Sequence, residues 1–162
     1  MHWLVICVVV AVVLSPLMWF KQSPRQARIA ELRKTAFEYK IIVSLHRRPD
    51  ARDNERAIDC VCYKLPCKDL EVSGNWVLHR YSQRGWESKW TQWKWILGEA
   101  DQNLDDLLSQ VIDRLPAGVS AIKKDSDGFG VIWDESTGVP DLVEIFNGLR
   151  MLKQQYEITC FV

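Results

Sequence analysis

The chain has 162 residues and balances 21 Lys and Arg against 21 Asp and Glu, so its net charge does not mark it as a nucleic-acid binder. A hydrophobic content of 48% excludes a disordered or collagen-like polypeptide. The five cysteines, Cys7, Cys60, Cys62, Cys67 and Cys160, are an odd set and do not suggest a disulfide framework.

Residues 2–20, HWLVICVVVAVVLSPLMWF, carry no Lys, Arg, Asp or Glu. As a helix rising 1.5 Å per residue they extend about 28 Å, which predicts a single-pass transmembrane helix. A cleaved signal peptide would need a basic start and a small-residue cleavage site, and this run has neither. Trp3 and Trp19 suit the interfacial belts at its two ends, and Pro16 predicts a kink.

Lys21, Arg25, Arg28, Arg33 and Lys34 follow the apolar run at once. By the positive-inside rule they predict an amino terminus outside and a cytoplasmic carboxyl-terminal part, an address on the bacterial inner membrane. These five residues are also the candidate membrane-surface contacts. Residues 21–50 hold eight basic against three acidic side chains, so the remainder of the chain is acidic and no nucleic-acid partner is expected.

The domain organisation read from this pattern is a transmembrane helix over 2–20, a basic juxtamembrane helix over 21–39 and one cytoplasmic domain over 40–162. Ser23 before Pro24 reads as an N-cap with proline at the first helical position, and Ile29, Leu32 and Ala36 recur near helical spacing. The β-branched run 40–46 predicts a strand, and the highly charged 47–56 an exposed loop. Alternation over 57–65 predicts a second strand ended by Pro66, and the turn signal at 73–75 leads to a third over 76–81.

The stretch 85–98, GWESKWTQWKWILG, fits both helical and alternating templates; its aromatic bulk favours a strand over 93–97. Asn103 is placed to cap a helix with Leu104, Leu107, Leu108, Val111, Ile112 and Leu115 on one face. Residues 119–123 and 129–133 flank KDSDG and predict a hairpin. Pro140 opens a last helix bearing Leu142, Ile145, Phe146, Leu149 and Leu152, and the apolar tail 157–162 is expected to add a short strand or dock on the core. Strands in hairpin-length succession with helices grouped late predict an α+β fold: an antiparallel or mixed sheet with helices on one face.

Two constellations carry chemical interest. Trp76, Trp86, Trp90, Trp93 and Trp95 crowd together with Lys89, more indole than one small sheet is expected to bury; Trp86, Trp90, Trp93, Trp95 and Lys89 are therefore the candidate partner-binding residues. Cys60, Cys62 and Cys67 with His79 supply ligand types that zinc selects, although their spacing departs from paired-cysteine knuckles, so buried thiols are the plainer reading. Asp125, Asp127 and Gly130 begin like a calcium loop, but Phe129 and Ser136 stand where oxygen ligands are required. No nucleophile elbow, phosphate loop, zincin motif or dinucleotide fingerprint occurs, and no cofactor is expected.

The stretch LSPLMWFKQSPRQARIAELRKTAFEYK, residues 14–40, resembles in layout the family of the auxiliary Sec-translocase subunit YajC. That resemblance implies the same topology, one apolar helix leading through a basic segment to a small domain. The functional expectation is a membrane-anchored, non-enzymatic adaptor that docks a protein partner of a membrane complex through its tryptophan-rich surface. The alternative is a metal-binding or thiol-redox protein using Cys60, Cys62 and Cys67.

Overall fold

The computed structural model describes residues 2–19, 23–52, 55, 59–67 and 74–160, side chains of 13–19 and 159–160 excepted. Lys21, the expected strand start at 57–58, Ser73 and the last two residues lie outside that set. The chain divides into two compact units, Met1–Ala30 and Glu31–Val162.

In the first unit, α1 (His2–Trp19) is helical through Pro16. Among the described residues no helix is long and apolar enough to cross a membrane. The predicted single-pass anchor is corrected on this ground, and with it the inner-membrane address. The start of α2 (Pro24–Glu38) follows expectation. Ser23 Oγ accepts from the Gln26 amide while Gln26 Oε1 accepts from the Ser23 amide, both at 3.2 Å, a reciprocal capping box with Pro24 at the first helical position.

The second unit holds a seven-stranded sheet: β1 (Ile42–Arg47), β2 (Asp59–Pro66), β3 (Trp76–Arg80), β4 (Trp86–Glu87), β5 (Trp93–Leu97), β6 (Val119–Asp125) and β7 (Gly128–Trp133). Their order is β1-β2-β7-β6-β3-β5-β4, and every neighbouring pair is antiparallel, which settles the choice between antiparallel and mixed. The short edge strand β4 was not foreseen; Trp86 pairs with Trp95 and Glu87 with Lys94. Its sharp entry needs Gly85, whose φ is +85° and where a Cβ would stand 2.0 Å from the Trp95 carbonyl oxygen.

Register assigns each side chain to a face, because paired residues point the same way. One face carries Tyr63, Val131, Ile122 and Leu78, and beside them Leu65, Phe129, Lys124 and Trp76. This face is buried beneath α3 (Asp105–Arg114), α4 (Val139–Cys160) and the end of α2, which contribute Leu108, Val111, Leu142, Ile145, Leu149, Leu32 and Ala36 to the core. Helices on one face is thus the observed architecture.

Two local expectations are corrected. A 3₁₀ turn over Gln102–Leu104 enters α3, so Leu104 rather than Asn103 holds the cap position. The tail expected to add a short strand or dock on the core forms no strand up to Cys160 but continues α4, because Tyr156 still packs its ring on Phe129 at 6.0 Å and gives the last turns a buried contact.

A buried polar cluster ties the end of α2 to the sheet. Glu135 accepts from Tyr63 Oη at 2.7 Å and from Arg33 Nε and Nη2 at 3.1 Å each, a bidentate pair. Arg33, assigned from sequence to a lipid surface, is thereby held to the domain.

Candidate interaction surface

The tryptophan-rich segment separates into core and surface. Trp93 and Trp95 alternate on β5 and point to the helix-covered face opposite Arg80 and Leu78, where they are 4% and 5% exposed. Trp76 is buried with them, its ring edge-on to Trp95 at 5.8 Å. Trp93 and Trp95 are therefore corrected from partner contacts to core residues. The element pattern predicts only a small sheet, whereas seven strands under the helices bury far more indole.

Trp86 remains 44% exposed at the β4 edge, its Nε1 donating to Glu99. Trp90 is half-buried against Trp95 and donates to Ser109 Oγ at 2.9 Å. Lys89 lies 4.9 Å from the Trp90 ring centroid and pairs with Asp105 at 2.9 Å. Three of the five predicted contact residues thus stay near the surface together, at one end of the sheet.

The thiol set does not converge. Cys60 and Cys62 share the helix-free face of β2, where the Cys60 thiol donates to the His46 carbonyl at 3.1 Å and Cys62 is fully buried beside Gly130. Cys67 follows the strand end, belongs to the helix-side core and lies 3.9 Å from Glu157. His79 on β3 is three strand spacings from β2, about 14 Å. Among the described residues no three His, Cys, Asp or Glu gather as a metal site, and Asp125 and Asp127 instead bind Lys64 at 2.9 and 3.5 Å. Burial also pushes both thiols up, Cys62 to about 11, which keeps them protonated near neutrality.

The helix-free face carries a feature the sequence reading missed. A half-open groove of about 490 Å³ is lined by His46, Arg47, Pro49, Ala51, Val77, Arg84, Gly85, Ile96, Leu97, Lys123 and Ile132. Its apolar floor arises from register: Val77 pairs with Lys123, and a shift between Val77 and Leu78 against β5 lets the consecutive Ile96 and Leu97 both reach it. Its wall is the charged segment after β1, folded back over the sheet. Arg84 Nη1 donates to the Asp50 and Ala51 carbonyls at 3.3 and 3.0 Å, Arg47 donates to the Arg52 carbonyl, and Asp50 pairs with Arg48 at 2.6 Å.

Beneath that wall His79 is 5% exposed, with Nε2 at 3.7 Å from Asp50 Oδ1. Burial holds His79 below the usual imidazole value, partly opposed by Asp50. His46 is also lowered, by burial first and then by Lys123 and Lys64. The charged run had read as a solvated loop; nothing local in it signals that Arg84, over thirty residues on, would anchor it to the sheet.

Compared with known proteins, the chain matches no family model, no curated protein and no solved structure.

Proposed function

We propose that this chain is a non-enzymatic interaction protein whose second unit docks a protein partner at the β4 end of its sheet, with Trp86 at the centre of the contact and Lys89 and Trp90 beside it. The observation that supports this reading is the 44% exposure of Trp86 on a two-residue edge strand, next to a half-buried indole under a lysine. Aromatic side chains with a positive neighbour are the residue types that carry binding energy at protein interfaces. Edge strands also leave backbone groups open to a partner.

A photo-crosslinking residue placed at Trp86 in the full-length tagged chain should capture one stoichiometric protein. The same residue at Ile158, exposed on α4, is the control. Trp86→Ala should abolish recovery of that protein while leaving the unfolding midpoint within about 0.5 kcal/mol of the parent, as befits an exposed side chain. Equal capture at both positions, or full recovery with Trp86→Ala, would remove the basis for the proposal.

A further inference from the structure

The groove on the helix-free face lies on the opposite side of the sheet from the indoles of β5, and its lining has one sign of charge. Six of its lining residues are apolar, four are His46, Arg47, Arg84 and Lys123, and none is a carboxylate. Lys123 is already paired with Asp125 at 3.1 Å. The two guanidinium groups differ: among the described residues Arg47 and Arg84 meet only backbone carbonyl oxygens and form no ion pair.

Each guanidinium carries five N–H donors, so among the described residues both retain donors beyond those given to the carbonyls, beside a groove with an apolar floor. Carbonyl bonds from the loop hold the two forks in place before any ligand arrives, which lowers the entropy lost on binding. The size of the groove decides between ligand classes. Its eleven lining residues fall well short of the 20–30 per side of a stable protein interface, while about 490 Å³ lies within the usual range for small-molecule sites.

We infer that this groove binds a small amphipathic carboxylate, its apolar body on Val77, Ile96 and Ile132 and its carboxylate between Arg47 and Arg84. The inference is independent of the partner surface at Trp86. The adjoining cavity of about 530 Å³, lined by Arg48, Asp50, Arg52, Glu55, Gln83 and Arg84, has both signs of charge and no comparable floor.

The test is methyl NMR of the full-length chain, following Val77, Ile96 and Ile132 during titration with hexanoate, and in parallel with hexanol, hexylammonium and inorganic phosphate. Saturable shifts with hexanoate are expected, with the three other probes at least about tenfold weaker because each lacks either the apolar body or the guanidinium-pairing anion. Arg84→Gln and Arg47→Gln should each weaken hexanoate about tenfold, the scale of a lost charge-assisted bond. Arg84 also braces the loop, so Arg84→Lys serves beside it: keeping the charge but losing the fork, it should fall between parent and Arg84→Gln. Hexanol binding as well as hexanoate would reduce the site to apolar partition and overturn the inference. So would phosphate binding as well as hexanoate, the absence of saturable shifts, or indifference to both Arg→Gln substitutions.

Discussion

Glu135 offers a test in which glycine should be better tolerated than alanine. Its backbone sits at φ +54°, a left-handed conformation that costs an L-residue about 1–2 kcal/mol and glycine nothing. Its carboxylate is 6% exposed and receives Tyr63 Oη at 2.7 Å together with the Arg33 fork. Removing the carboxylate leaves the buried Tyr63 hydroxyl without its acceptor, a loss of about 1–3 kcal/mol. The Arg33 side is 48% exposed, so solvent screening limits it to at most about 1 kcal/mol. Glu135→Ala should therefore cost about 1–4 kcal/mol, and Glu135→Gly about 1 kcal/mol less, the reverse of the usual order in ordinary backbone.

Urea unfolding followed by tryptophan fluorescence reads both variants, since Trp133 lies 5.3 Å from the Tyr63 ring. At a slope of about 2 kcal/mol per molar urea, Glu135→Ala should lower the midpoint by about 0.5–2 M. A double-mutant cycle with Tyr63→Phe isolates the hydroxyl, and the two substitutions together should cost less than their sum. Glu135→Gly at or below the stability of Glu135→Ala, or a cycle with no coupling, would refute the account of the cluster.

Two further outcomes concern titration. Cys62 is raised to about 11 by burial, whereas the unfolded thiol ionises near its ordinary value; the stability it contributes is present below that value and is lost as pH climbs toward 11. Cys62→Ser should flatten the alkaline limb of an unfolding-midpoint profile, and an unchanged limb would contradict the burial argument. For His79 the folded value is depressed, so its contribution holds above the ordinary imidazole range and is lost as pH falls through the folded value. Asp50→Asn should move the NMR midpoint of His79 still lower, because Asp50 is the carboxylate that opposes desolvation; an upward movement would refute their proximity.

Much of the fold was legible because it rests on short-range chemistry. The capping box at Ser23, the apolar face of α3, the KDSDG turn and the alternation of β2 are each decided within about one turn or one hairpin, where periodicity and capping act. Their assembly into an α+β domain with helices on one face followed from element order alone. What failed failed for reasons of reach. The number of strands, and hence the area available to bury Trp93 and Trp95, depends on β2 meeting β7 and β3 meeting β6, contacts far apart in sequence.

The same limit governs the sites. Composition and pattern by themselves determined that this chain holds an aromatic segment beside a lysine, scattered thiols and a highly charged loop. Only the tertiary structure decided that Trp86 stays outside, that Cys60 and Cys62 lie on one side of the sheet and Cys67 in the core on the other, and that Arg47 and Arg84 line one groove with an apolar floor. Local pattern specifies which side chains share a strand face; which strand lies alongside, and what folds back over it, is set by long-range pairing and by the burial that pairing makes available.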